Sequence, residues 1–123
     1  MANKKSISKN QHENVVCNLD FKRLQDEILN LEELEFNQFT KTITKIEMMS
    51  WDQIYKTSSK SQKRGLSWEI IENQITKSGK KTASIRISKK FRARVCRDQN
   101  YMIFISLHPD HDSAYDENGG EGL

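Results

Sequence analysis

The sequence predicts a single α+β domain in which helices precede a small antiparallel β-sheet. Two observations support this fold class. Apolar residues recur every three or four positions up to about residue 55, as on one face of a helix, and they alternate with polar residues after Gly65, as in half-buried strands. Helices followed by consecutive strands are typical of α+β domains. We therefore expect N-terminal helices packed on one face of a meander of antiparallel strands.

The chain has 123 residues, which is enough for one modest hydrophobic core. Residues 1–15 carry no periodic apolar pattern and are interpreted as a flexible leader. We expect the domain to span residues 16–115, followed by a flexible acidic tail at 116–123. No apolar run approaches the roughly 20 residues of a membrane helix, and the N-terminus lacks the apolar core of a secretory signal. A cytoplasmic protein without membrane contact is the expectation.

Two apolar stripes and one capping box predict three helices. The first stripe follows Asp20, the expected N-cap residue, and comprises Phe21, Leu24, Ile28, Leu31 and Leu34. The second comprises Phe36, Phe39, Ile43, Ile46 and Met49. Ser50 and Gln53 then have the spacing of a capping box, which predicts a short third helix carrying Trp51 and Ile54. We expect Trp51 and Trp68 to pack in the core, although exposed tryptophans would suit base stacking.

Four strands are predicted after Gly65, in the segments LSWEII, TASIRIS, FRARVCR and YMIFISL. The last is apolar on both faces, as expected for a central strand. The segment NVVCNLDF near the N-terminus is a poor strand by the same criterion. All four predicted strands therefore lie in the second half of the chain.

Charge is strongly segregated, although the net charge is only +3. Residues 56–97 contain thirteen Lys or Arg against two Asp or Glu, whereas residues 98–123 contain six carboxylates and no Lys or Arg. Such a basic block is either a solvated surface or the electrostatic footprint of a nucleic-acid partner. The acidic segment that follows could fold back and neutralise part of it.

The alternation of side chains along a strand places three arginines together. If Ala83, Ile85, Ile87, Phe91, Ala93 and Val95 face the helices, then Arg86, Arg92 and Arg94 face the other way. Short turns would set Arg86 opposite Arg92 and Arg92 opposite Ser106, with His108 on the same face. Because like charges directly opposite destabilise a sheet, such arginines either reach into solvent or bind an external anion.

The segment SIRISKKFRARVCRDQNYMIFISLHPDHDSAY resembles the closing strands of the RelE/ParE superfamily of small bacterial toxins. The resemblance covers roughly Gly65 to Tyr115. It implies a RelE-like fold, in which Arg86 binds phosphate, Arg92 of the Phe91-Arg92 pair stabilises the scissile phosphate, and His111, Asp112 and Tyr115 match a C-terminal His-Asp-x-x-Tyr pattern. The implied activity is that of an mRNA interferase, held inactive by an acidic antitoxin and acting on mRNA that is free or bound to the ribosome.

Cleavage of RNA without a metal needs a base, an acid and cations that stabilise the phosphorane. His108, His111 and Tyr115 can supply the acid and base, since a histidine near its ordinary pKa of about 6.5 can do either at neutral pH. Arg86 and Arg92 can supply the charge. Further RNA-binding residues are expected at Lys80, Lys81, Lys89, Lys90 and Arg94. No cofactor is expected.

Two other functions remain open from the residues. The same sheet face would also suit a non-catalytic basic binding module, or a ParE-like toxin that targets a protein. A metal site at His108, Asp110, His111 and Asp112 is the weaker alternative, because adjacent residues of one short loop rarely converge on one ion. No metal is therefore expected. Cys17 and Cys96 stand far apart and are interpreted as structural or incidental.

Overall fold

The structure, a computed structural model, describes residues 12–58 and 65–110. Within these ranges it is an α+β fold with three helices and five strands. The elements in chain order are β1 (Val16–Asn18), α1 (Lys22–Leu29), α2 (Glu33–Glu47), α3 (Trp51–Lys56), β2 (Glu69–Ile75), β3 (Lys81–Arg86), β4 (Arg92–Asp98) and β5 (Tyr101–His108). The predicted fold class is confirmed at this level.

The five strands form one mixed sheet in the order β1-β5-β4-β3-β2. Strands β2 to β5 are the predicted antiparallel meander, but β1 pairs in parallel with β5, from Val16 opposite Tyr101 to Asn18 opposite Ile103. The expectation of a purely antiparallel sheet was therefore wrong. A three-residue strand carries too few positions to show an alternation, and its partner lies at the other end of the sequence.

The boundary between the first two helices differs from the boundary between the two predicted apolar stripes. Helix α1 has Phe21 as its N-cap residue, so Asp20 is not the cap, and it ends at Leu29 with Asn30 as the C-cap residue. Leu34 belongs to α2 and is 69% exposed, so the first stripe does not extend that far. The boundary is set by Glu32 and Glu35, which form a capping box that starts α2.

The capping box predicted before the third helix is confirmed. The backbone N–H of Gln53 donates to Ser50 Oγ over 3.2 Å, and the side chain of Gln53 accepts from the backbone N–H of Ser50 over 2.9 Å. These two bonds satisfy N–H groups that no helical carbonyl can reach. Helix α3 thereby holds Trp51 and Ile54 in the core, where both are fully buried.

All three helices pack on one face of the sheet, as predicted. Their buried apolar side chains, Leu24, Phe39, Ile46, Trp51 and Ile54, join one cluster with Ala83, Ile85, Ala93, Val95, Met102, Phe104 and Leu107 of the strands. The ring of Phe39 meets that of Phe104 edge-on with centroids 5.9 Å apart. The predicted core placement is confirmed for Trp51, whereas Trp68 is partly buried and packs against the same cluster, with its ring centroid 5.0 Å from that of Trp51.

Val15, which the sequence assigns to the leader, is buried in this core. Its backbone N–H donates to the carbonyl of Met49, and Asn14 forms an isolated bridge with Ser50. Ordered contacts thus begin before β1. Among the described residues, no helix is both long and apolar enough to cross a membrane.

Helix α1 lies along the part of β5 that β1 does not pair. Glu27 Oε1 accepts a hydrogen bond from the backbone N–H of Leu107 over 2.8 Å, while its other oxygen lies 3.3 Å from Arg23 Nε. An edge strand presents N–H groups that need an acceptor, and here a helix side chain provides one. Glu27 therefore joins α1 to the end of β5 that carries His108.

We predict that Glu27→Ala lowers the free energy of unfolding by about 1–3 kcal/mol, because it leaves the N–H of Leu107 without its acceptor. Glu27→Gln, which keeps a carbonyl oxygen, should recover most of this loss. The matched control is Asp26→Ala on the same helix, whose ion pair with Lys22 is exposed and should contribute less than about 1 kcal/mol. Urea unfolding measures all three. Equal losses for Asp26→Ala and Glu27→Ala would contradict the role assigned to Glu27.

Candidate anion-binding site on the sheet

The sheet face opposite the helices carries the predicted arginines. We call it the arginine face and define it by Thr82, Ser84 and Arg86 of β3, Arg92 and Arg94 of β4, and Ser106 and His108 of β5. The alternation of side chains places these residues there, because Ala83, Ile85, Ala93 and Val95 occupy the core on the other side. The predicted sharing of one face by Arg86, Arg92, Arg94 and His108 is confirmed.

The register of the arginine face differs in part from the prediction. Arg86 lies directly opposite Arg92, as predicted. Arg92 lies opposite His108, however, and Arg94 lies opposite Ser106, so the predicted pairing of Arg92 with Ser106 was wrong. A two-residue turn joins Asp98 to Tyr101, and the β4–β5 ladder shifts between Arg94 and Val95. The predicted register depended on the number of residues in this turn and on a regular ladder, so both features change it.

Arg86, Arg92 and His108 therefore form one row across three adjacent strands. Both arginines are half-buried. Arg92 Nη1 donates to the carbonyl of Ser88 over 2.7 Å and to that of Lys89 over 3.3 Å, which holds the turn between β3 and β4. Arg92 thus has a structural function in addition to the charge that it brings to the row.

Ser84, Arg94 and Ser106 form a second row, next to the first. All three side chains are buried, and Arg94 is 0% exposed. A guanidinium removed from water is stable only where acceptors or carboxylates surround it. In the conformation described, Arg94 is enclosed rather than presented to solvent.

His108 is also buried, and its Nε2 lies 2.7 Å from Ser106 Oγ. Burial, together with the nearby positive charges of Arg94 and Arg23, lowers the pKa of His108 to about 4. The imidazole is therefore neutral at pH 7. The expectation of an ordinary histidine pKa was wrong here, because the sequence does not show that this side chain is enclosed beside two cations.

A neutral His108 can accept a proton, but it lacks the additional ring proton that an imidazolium would donate as a general acid. Of the two roles expected for it, only that of base fits the described geometry. His111 and Tyr115, the other expected acid and base residues, lie outside the described residues, as does Asp112.

The four expected RNA-binding lysines divide into two pairs at opposite ends of the strands. Lys89 and Lys90 are exposed in the turn between β3 and β4, beside Arg86 and Arg92. Lys80 and Lys81 stand at the start of β3, where Lys80 Nζ lies 3.5 Å from Asp98. The structure therefore joins Lys89 and Lys90 to the row of Arg86, Arg92 and His108, and places Lys80 and Lys81 apart from it.

Two adjoining grooves extend the basic surface around the end of β3. One of about 490 Å³ is lined by Met48 and Met49 together with Lys41 and Lys45 of α2. The other, of about 310 Å³, shares those lysines and reaches Arg86 and Ser88. Positive charge thus continues from the arginine face onto the helical side of the molecule.

The part of the chain that the structure describes holds no group of three or more His, Cys, Asp or Glu side chains placed to bind a metal. Cys96 is buried on the arginine face side of β4, and burial raises the pKa of its thiol. Burial and the carboxylate of Glu47 raise the pKa of Cys17 to about 12. Both thiols are protonated at neutral pH, which makes them poor nucleophiles and poor metal ligands.

Sequence reasoning missed two contributors to this site. Ser84 follows from the alternation that identified Arg86, and could have been found by the same rule. Arg23 could not, because it acts on His108 from α1, whose position against the edge of β5 is a tertiary feature.

The fold and the arginine face together define an α+β domain with a polar, cationic sheet surface. No family model, no curated protein and no solved structure matches the chain.

We predict that His108 makes the stability of the fold depend on pH. Its pKa is lower in the folded state, so the unfolded chain binds the extra proton between about pH 6.5 and about pH 4. The stabilisation is complete above pH 6.5 and is lost as the pH falls through 4. A pKa shift of this size corresponds to an effect of about 3 kcal/mol on the free energy of unfolding.

The measurement is urea unfolding at half-unit steps from pH 7.5 to pH 4, for wild type and His108→Gln. The free energy of unfolding is plotted against pH for each protein. The difference between the two slopes isolates the contribution of His108 from that of the other titrating groups. Identical slopes would show that His108 is not enclosed as described.

Proposed function

We propose that this chain is a toxin-like endoribonuclease that binds mRNA on the arginine face and cleaves it without a metal. The observation that supports the proposal is the row of Arg86, Arg92 and His108 across three adjacent strands. It brings two guanidinium groups next to a neutral imidazole. Those are the elements needed to bind a phosphodiester and to remove a proton beside it.

A polyanion fits the surface better than a small anion does. Guanidinium groups offer planar pairs of donors that match phosphate oxygens. The positive charge also continues beyond the row, to Lys89 and Lys90 in the turn and to Lys41 and Lys45 along the grooves. A strand with many phosphates can contact all of these at once, and releases counterions as it does so.

The reaction we propose is attack of the ribose 2′-hydroxyl on the adjacent phosphorus. His108 takes the hydroxyl proton, the new O–P bond forms as the bond to the 5′-oxygen breaks, and His111 or Tyr115 supplies a proton to that oxygen. Arg86 and Arg92 stabilise the additional charge of the phosphorane. Because the nucleophile is the 2′-hydroxyl, RNA is cleaved and DNA is not.

The toxin class brings further expectations, which rest on the resemblance of the closing strands. Cleavage takes place in the cytoplasm, on free mRNA or on mRNA in the ribosome. An acidic antitoxin covers the arginine face until the toxin is released, and its charge would speed association.

A non-catalytic binding module is the second candidate, and two observations favour it. Arg92 Nη1 already bonds to turn carbonyls, and His108 is enclosed with a low pKa, which makes it a weak base. Such a module would bind RNA with the same salt dependence as the proposed endoribonuclease but would not cleave it. A ParE-like toxin would bind its protein target instead and show no RNA affinity of this kind.

We predict that Arg86→Ala and Arg92→Ala each lower the rate of RNA cleavage by a factor on the order of 10² to 10³, because each removes a cation that stabilises the transition state. The control is Lys77→Ala, which removes an exposed cation in the turn between β2 and β3. Since Arg92 also holds a turn, its variant is checked for folding by circular dichroism. Full activity in folded Arg86→Ala and Arg92→Ala proteins would refute the assignment.

We also predict that cleavage continues in excess chelator, because the arginines supply the positive charge that a metal would bring. Purified protein is incubated with RNA, with and without ribosomes, in EDTA. Activity lost in chelator and restored by a divalent ion would support the metal site at His108, Asp110 and His111 instead. Binding without cleavage under every condition would support the non-catalytic module.

A further inference from the structure

The middle of the arginine face is buried although no described helix packs on it. Arg94 and Ser106 are 0% exposed, and Thr82 and Ser84 are 2% exposed. Each of the three helices places its buried apolar side chains in the cluster on the opposite face. A polar sheet face without a covering layer is ordinarily in contact with water. The burial therefore requires a covering segment, and the chain itself offers three stretches outside the described ranges.

Charge distinguishes these stretches. Residues 1–11 contain three lysines and no carboxylate, and residues 59–64 contain two lysines and one arginine, so each would add like charge to the arginines. Residues 111–123 contain no Lys or Arg and have four carboxylates, at Asp112, Asp116, Glu117 and Glu121. A buried guanidinium is stabilised by carboxylates that accept its hydrogen bonds. Only the C-terminal stretch is complementary.

The starting point and length of residues 111–123 also fit a position over the arginine face. Strand β5 ends at His108, which is on the arginine face opposite Arg92, and Pro109 and Asp110 follow. Residues 111–123 thus begin at the edge of the surface to be covered. Crossing from β5 over β4 to β3 requires about 10 Å, at roughly 4.8 Å per strand, and three or four extended residues span that distance. Thirteen residues are ample.

We propose that residues 111–123 dock on the arginine face and that their carboxylates pair with Arg86, Arg92 and Arg94. The docked segment is an internal competitor for any anionic ligand of this face. That second statement rests on the proposed RNA-binding function, whereas the docking itself does not.

The test uses the full chain with the four carboxylates made neutral and isosteric: Asp112→Asn, Asp116→Asn, Glu117→Gln and Glu121→Gln. The control protein carries the same number and kind of substitutions at exposed positions elsewhere: Asp20→Asn, Asp26→Asn, Glu33→Gln and Glu72→Gln. Both proteins therefore gain the same net positive charge. Modification of arginines by phenylglyoxal, followed by peptide mass spectrometry, gives the accessibility of Arg94.

We expect Arg94 to react at least fivefold faster in the tail variant than in wild type, and at the wild-type rate in the control. High salt should accelerate the wild-type reaction, because it screens the pairing. An unchanged rate in the tail variant overturns the proposal and assigns the cover to residues 1–11 or 59–64. If the wild-type modification of Arg94 becomes fast when the protein is diluted, the proposal is also overturned. The covering segment then belongs to a second copy of the chain.

RNA affinity, measured on the same three proteins, separates the two proposals. We expect the tail variant to bind RNA at least tenfold more tightly than the control, since the competitor is weakened. Faster Arg94 modification with no RNA binding in any protein would support the docking and refute the RNA function. Tight RNA binding that is equal in tail variant and control, with Arg94 still protected, would refute the docking and leave the RNA function intact.

Discussion

The rest of the structure depends on the alternation of side chains along β4, the central strand of the sheet. Ala93 and Val95 must enter the core, and both are fully buried there. Arg92 and Arg94 are then forced to the opposite face, because successive residues of a strand point in opposite directions. A slip of one residue would place Val95 among the polar side chains of the arginine face and Arg94 among the apolar side chains of the core, so the pairing is strongly specified.

A shift in the β4–β5 ladder reconciles this constraint with the sequence of β5. Phe104 packs in the core against Phe39, while Ser106 and His108 lie on the arginine face. In a regular strand, residues 104, 106 and 108 would share one face. The ladder pairs Arg94 with Ser106 but Val95 with Phe104, so one additional residue in β5, Ile105, changes the face between the two halves. The apolar first half and the polar end of β5 can thereby serve different sides of the sheet.

The extent to which the sequence predicts this fold follows from the range of each interaction. Ser50 and Gln53 interact three residues apart, so their capping box and the helix it starts are predictable from local pattern. The shared face of Arg86, Arg92 and His108 also follows from local alternation. The position of Phe104 does not, because a bulge leaves the composition of a strand unchanged. Strand β1 and the contact of Glu27 with Leu107 join distant parts of the chain, and no short pattern encodes them.

Two arginines directly opposite each other on neighbouring strands repel, and the structure offers no way to separate them by sliding. The core fixes β3 and β4 in register through Ala83 opposite Val95 and Ile85 opposite Ala93. Hydrogen bonds from Arg92 to the turn carbonyls hold one guanidinium in place without reducing its charge. An anion bound at the arginine face lowers this repulsion only in the folded state, because unfolding disperses the row. Any anion that binds this face would therefore also stabilise the sheet.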